Sequence, residues 1–398
     1  MTEPDHMAAL AATQRARLFS RLGNRVDLVL SSDNRTKAWL TGYASMAHDV
    51  APEIRSAVIA GRNLLALVTT AADAGPALEA LGPSSAIYRY GEFYFTLPPD
   101  AGASALTAPA HTSFEAAMLA ALSATLTGTG SVGVARSADG LLWALWQEKL
   151  GPGRVVDITE DIQALRAIKT EGEIGLIATA ARLVEAGFAE VARRLRPGMT
   201  EHDLAAIMTE QMVRGGGVPR FVSVTSAERS ALADAYPTAR VIRPGDTVRI
   251  DAGCTVCGYW SDLARTFVLG LPNARQVATY AALLQGLEAM LAATRPGIRA
   301  SALYRIGVET VRKAGIPGYQ RQHCGHGIGL RSYDAPTIAP HDDTVLQPGM
   351  CLCLETPYYL LGQDGMMVEE MVVITEEGYA PLSTLTRDLL VTPLPQAD

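Results

Sequence analysis

The chain has 398 residues, 48% hydrophobic and 19% charged, with a formal net charge of -7 and a pI near 5.6. An acidic chain of ordinary globular composition offers no basic stripe for nucleic acid and no attraction to an anionic membrane surface. So long a chain exceeds what one hydrophobic core usually serves, so two domains are expected.

The first residues, MTEPDHMAALAATQRARLF, contain no apolar core of signal-peptide length, and no later stretch reaches the roughly 18 apolar residues of a membrane helix. Five cysteines (Cys254, Cys257, Cys324, Cys351, Cys353) are odd in number and confined to the C-terminal half. They do not form a disulfide framework, and a reducing cytoplasm is the expected compartment.

In chain order, Asp27 to Ser31, Ser56 to Ala60 and Leu64 to Thr69 read as strands, with helices before and between them. That pattern predicts a small α/β domain. It holds no cluster of His, Asp and Glu, so structural support or substrate access is its expected role. A charged segment, Asp157 to Glu173, leads into an apolar-periodic helix over Ile174 to Leu195, which RPGM at Arg196 to Met199 ends. Thr200 and Asp203 predict a capping box for the next helix. The boundary is placed near residue 160, giving domains 1–160 and 161–398. In the second, strands are expected around Arg220 to Thr225, Thr247 to Gly253 and Tyr259 to Leu269. Helices follow over Ala274 to Thr294 and Ala300 to Ala314, then strands over Met350 to Glu355 and Met367 to Thr375. This predicts an α+β domain with a mainly antiparallel sheet.

The chemistry concentrates in three segments. In TVRIDAGCTVCGYWSDLARTFVL, Asp251 ends a β-branched apolar run, where an unpaired carboxylate is costly. A turn centred between Val256 and Cys257 sets Asp251 opposite Asp262, and two like charges so close need a cation between them. In HCGHGIGLRSY, glycines around His326 let the backbone approach closely, and imidazole suits Mn, Fe, Co or Zn. Glu355 ends the apolar run MCLCLE, and Glu369 sits inside MMVEEMVVIT. Four carboxylates match the charge of two divalent ions, which in pairs polarise carbonyls. Taken singly, each residue has a bland reading: an Asp cap, a hydrogen-bonded core His, or Glu369 and Glu370 on a solvated edge. Cys254 and Cys257 form a CxxC without a second one at ribbon spacing, so buried small side chains are expected. Tyr358 and Tyr359 line a pocket or pack in the core.

Together, IDAGCTVCGYWSDLARTF, HCGHGIGLRSYDAP and LETPYYLLGQDGMMVEEMVVIT resemble the creatinase, prolidase and methionine aminopeptidase family. The segment IKTEGEI resembles the family's entry into its catalytic domain. The resemblance implies a C-terminal pita-bread fold behind a creatinase-type N-terminal α/β domain. It implies that Asp251 binds one metal and His326 the other, that Asp262 and Glu369 bridge them, and that Glu355 ligates the second and moves a proton. It further implies two divalent ions (Mn, Co, Zn or Fe), a bridging hydroxide, a short amide or Xaa-Pro dipeptide substrate, and a homodimer. All five ligand positions are kept, so neither the metal-free creatinase route nor a non-catalytic binding module is implied.

The departures are informative. Seven residues after His326 the peptidases have a histidine, and this chain has Tyr333. Before the first aspartate strand they have another, and here Asp234 stands. Met367 replaces an arginine two residues before the last glutamate. Tyr333 is then expected to donate to a developing oxyanion and Asp234 to hold a substrate ammonium. His323 either supplies part of the missing function or is structural, and Arg265 braces an acidic ligand. These changes leave open an alternative, a metallohydrolase or lyase acting on a C–N bond of a small non-peptide metabolite.

Overall fold

The structure, a computed structural model, describes residues 3–82, 85–100 and 104–394. Packing divides the chain into two compact units, Met1–Leu165 and Arg166–Asp398.

The first unit is built on a six-stranded sheet of β1 (Leu28–Ser31), β2 (Ala57–Ala60), β3 (Leu65–Thr70), β4 (Ala86–Tyr90), β5 (Val132–Val134) and β6 (Val155–Asp157). The strand order is β4-β3-β2-β1-β5-β6. The pairs β1–β2 and β2–β3 are antiparallel and the others parallel. Every residue of β1 and β2 is buried, which is why both read as unbroken apolar runs rather than alternating ones. Met118 and Leu122 of helix Phe114–Thr125, with Leu142 and Trp146 of helix Gly140–Leu150, pack on Leu30, Ile59, Val68 and Val132.

The second unit opens with helix Glu171–Arg194, whose first turn is closed by a capping box between Thr170 and Glu173. The helix therefore begins inside the segment read as a charged lead-in. The expected capping box of Thr200 and Asp203 starts helix Glu201–Arg214.

Two sheets follow. The first contains β7 (Val218–Ser226), β8 (Thr247–Val256), β9 (Tyr259–Trp260) and β10 (Leu263–Leu269). The second contains β11 (Gly325–Gly327), β12 (Asp334–Thr337), β13 (Cys351–Glu355), β16 (Glu369–Ile374) and β17 (Tyr379–Pro381). Between these last, β14 (Tyr358–Leu360) and β15 (Asp364–Met366) form a hairpin, and β18 (Leu390–Thr392) joins the first sheet beside β10. Pairing is antiparallel throughout, except where β18 runs parallel to β10.

Helices Ala274–Ala293 and Ala300–Lys313 cover the second sheet, with Leu283, Leu287, Met290, Leu303 and Val311 packed on Leu352, Leu354, Val368 and Val372. The sheets are stitched where Thr266 Oγ1 donates to Met367 O and accepts from Met367 N, both at 2.9 Å. No helix among the described residues is long and apolar enough to cross a membrane.

Candidate metal centre

The hairpin from β8 to β10 turns on Cys257 and Gly258, with φ of 49° and 83°, the two-residue geometry that suits twisted antiparallel strands. This corrects the expected turn. Asp251 pairs with Ala264, and Asp262 does not lie directly opposite it. Because the true register differs by two residues, not one, both carboxylates still share a face, and Asp262 stands diagonal to Asp251.

From the other sheet, β13 and β16 set Glu355 opposite Glu369. His326 on β11 pairs with Cys353 of β13. Gly325 makes that approach possible: with φ of 132°, it lies where a Cβ would come within 2.1 Å of Cys353 O. His326 Nδ1–H donates to Gly327 O at 2.9 Å, leaving the Nε2 lone pair turned toward Asp262 Oδ2, 3.6 Å away. Burial lowers the pKa of His326, keeping the ring neutral, the form that ligates metals.

Ligand atoms of Asp262, His326, Cys353 and Glu369, all buried, lie within 4.8 Å of one another. Asp251 and Glu355 stand beside this group, outside its mutual 4.8 Å reach, and couple to it electrostatically. Burial raises Asp262 and Glu369 well above the usual carboxylate range, with the neighbouring carboxylates adding to the shift. Burial lifts Asp251 to about 7, against the charge of Arg249. Glu355 goes the other way. Its burial is outweighed by the hydrogen bond from His323 and by the charges of His323, Arg321 and His326, so its pKa is lowered. His323 Nδ1 lies 2.9 Å from Glu355 Oε1 and Arg321 Nη2 lies 4.0 Å from Oε2.

Asp251 Oδ1 and Glu369 Oε2 are buried with no hydrogen-bond partner among the described residues, although they belong to carboxylates in a repelling cluster. Orphaned acceptors of this kind cost free energy unless a cation meets them. The donor set, carboxylates with one neutral imidazole, fits divalent metal.

Tyr333 stacks on His326, with ring centroids 3.8 Å apart and planes at 26°, and meets His323 edge-on at 5.9 Å. Although the residue is 58% exposed, partial desolvation of the hydroxyl and the surrounding carboxylates raise its pKa and hold it protonated. A pocket of about 410 Å³ adjoins the cluster, lined by Phe221, Asp234, Asp251, Trp260, Asp262 and Tyr333 among others. Asp234 is exposed to solvent there.

Glu370 is not on a solvated edge. It is 1% exposed, 3.5 Å from Arg265 and 2.9 Å from Arg387, and accepts from Ser383 Oγ. Arg265 also donates to the backbone carbonyl of Glu369, so it braces that strand through its main chain. Met367 is buried in the sheet junction.

Three neighbours of the cluster escape the sequence reading. Arg249 is fully buried, binds the carbonyls of Ser230, Leu232 and Ala233, and reaches within 3.7 Å of Asp251. Arg321 and Arg249 both lie over the Tyr359 ring, at 5.6 and 5.3 Å. Cys353 is the third. Strand alternation held a signal for two of them, since Arg249 and Cys353 each lie two residues before a site carboxylate and share its face. Nothing local marks Arg321, which precedes its strand.

The profile of metallopeptidase family M24 matches residues 175–376. The Xaa-Pro dipeptidase of Pyrococcus furiosus is 31% identical over 267 residues, covering 67% of this chain and 77% of that one. The Xaa-Pro dipeptidase of Lactobacillus helveticus is 30% identical over 241 residues, covering 60% and 66%. Among solved structures, an X-Pro aminopeptidase from Thermotoga maritima superposes with a TM-score of 0.80 at 23% identity, covering 96% of this chain and 99% of that one. The prolidase from Pyrococcus horikoshii gives 0.76 at 23% identity, covering 95% and 99%. The shared architecture is the two-domain fold with a pita-bread α+β domain.

Proposed function

The chain belongs to metallopeptidase family M24 and is a metal-dependent hydrolase, and on that premise we propose that it is a dipeptidase of the Xaa-Pro type working with two divalent ions. The observation that carries the reading is the buried group of Asp262, His326 and Glu369, flanked by Asp251 and Glu355, with two orphaned carboxylate oxygens. Asp251, Asp262, His326, Glu355 and Glu369 would hold the ions, and the four carboxylates balance the charge of two. Mn, Co, Zn and Fe all suit such donors. Bound there, divalent metal polarises the scissile carbonyl and makes water more acidic.

The chain's own residues supply the rest. Glu355, held anionic, is the proton acceptor, and His323 at 2.9 Å orients its carboxylate. The Tyr333 hydroxyl, kept protonated, donates to the oxygen on which negative charge develops. Asp234, exposed in the pocket, meets the free ammonium of a dipeptide. The non-peptide alternative has less support, because these relatives carry dipeptidase names. A cytoplasmic homodimer is part of the same proposal, the compartment supported by cysteines that form no disulfide among the described residues and the dimer by family likeness alone.

The test is hydrolysis of a dipeptide panel, with and without proline at the second position, by Mn-, Co- and Zn-loaded protein. Turnover of Xaa-Pro members that is lost in Glu355→Ala and falls at least about tenfold in Asp234→Asn supports the reading. Equal turnover of amine-blocked and free dipeptides removes Asp234 from it. Silence across the panel from protein shown to hold metal overturns the dipeptidase assignment.

A further inference from the structure

The four ligand atoms that come together include one that the five-residue set does not. Cys353 Sγ lies within 4.8 Å of the ligand atoms of Asp262, His326 and Glu369. The side chain is fully buried on β13, opposite His326 on one side and Met371 on the other. Among the described residues its thiol donates to Asp262 O, at a long 3.7 Å, so the hydrogen bond that occupies it is weak. A second sulfur stands close by, since Asp262 N–H donates to Met371 Sδ at 3.3 Å.

A second observation points to a cation in the same place. Glu369, 1% exposed, is one of the four residues, and its Oε2 has no hydrogen-bond partner among the described residues. With metal bonds of about 2.3 Å to sulfur and 2.0–2.2 Å to nitrogen and oxygen, ligand atoms sit roughly 3.5 Å apart around a tetrahedral ion. The present spacing reaches that by a contraction of about an ångström, well within side-chain reach.

We propose that Cys353 is a sulfur ligand of the metal that Asp262, His326 and Glu369 hold, giving this centre a mixed N, O and S donor set. The thiol proton leaves to solvent as the ion binds, so no other reactant is needed. The consequence is selectivity. Thiolate favours Zn and Co, whereas an all-oxygen and imidazole site leaves Mn competitive. The inference rests on reading the cluster as a metal centre, and the experiment separates the two.

Metal-stripped full-length protein is titrated with Co(II), following cobalt content and the near-ultraviolet thiolate-to-cobalt charge-transfer band. Wild type is compared with Cys353→Ser, Cys353→Ala and, as a control for the partly exposed thiol, Cys257→Ser. The expected result is a band present in wild type and Cys257→Ser and absent in both Cys353 variants, which still bind cobalt. Competition should show Zn affinity falling about tenfold or more in Cys353→Ser, with Mn affinity changed far less. Cobalt bound without the band in wild type, or a band that survives in both Cys353 variants, overturns the sulfur ligand and leaves the centre standing. Wild type that binds no cobalt at all overturns both.

Discussion

Removing metal from this protein leaves carboxylates that repel one another, and the cost depends on pH in a definite direction. Burial raises Asp251 from 3.8 to about 7 against the charge of Arg249, and burial moves Asp262 and Glu369 the same way. A carboxyl whose folded pKa lies above its unfolded one binds its proton more tightly when folded. Its stabilisation is complete below the unfolded value and is lost as pH rises through the folded one. From about pH 5 to about pH 7, Asp251 alone therefore costs about 2–3 kcal/mol at roughly 1.4 kcal/mol per pH unit. Glu355 is depressed instead, so its stabilisation is present above its unfolded value and does not offset the loss in this window. Urea midpoints of chelator-treated protein should fall across that range. Protein saturated with Mn or Zn should stay level, because the cation replaces the protons, and should gain about 2.7 kcal/mol at a hundredfold excess over Kd. Chelated protein whose stability is flat or rises over the window, or that gains nothing from metal, would refute the reasoning.

Three more outcomes are expected. Arg265→Met removes one of two guanidiniums from the buried Glu370 carboxylate and frees the Glu369 carbonyl, so urea unfolding should show a loss of about 3–5 kcal/mol; a loss under about 1 kcal/mol would mean Arg387 and Ser383 suffice. In the first unit, burial drives the fully buried Lys37 down to about 8, so its charge costs stability below that pH, and the cost is relieved as pH rises toward the unfolded value of 10.5. Lys37→Met should accordingly be neutral or stabilising by up to about 2 kcal/mol at neutral pH, and a clear destabilisation would show that the bond to Ser56 outweighs desolvation. Tyr333→Phe keeps the stack on His326 and removes only the hydroxyl, so kcat should fall about 10–100-fold with metal content unchanged; undiminished turnover would reduce Tyr333 to a packing residue.

Much of the site was legible because strand periodicity and charge are local properties. A carboxylate set in or beside an apolar strand run, as Asp251, Glu355 and Glu369 each are, is unfavourable without a partner, and that is visible residue by residue. The capping box at Thr200 and Asp203 is equally local. The resemblance then tied segments more than a hundred residues apart into one centre.

What the sequence offered by itself was the acids and the histidine as candidates, the strands that carry the acids, and the α+β class; the short strand of His326 was not among them. The tertiary structure alone decided how far apart they stand. It set the hairpin register through the Cys257–Gly258 turn, brought β10 against β16, and buried Glu370 between Arg265 and Arg387 where adjacent acids looked solvated. It also set the Cys353 sulfur beside Asp262, His326 and Glu369 and turned two arginines onto Tyr359. The physical reason is one of range. Propensity, capping and alternation act within a few residues, whereas which sulfur or guanidinium faces a carboxylate is settled by packing between strands remote in the chain.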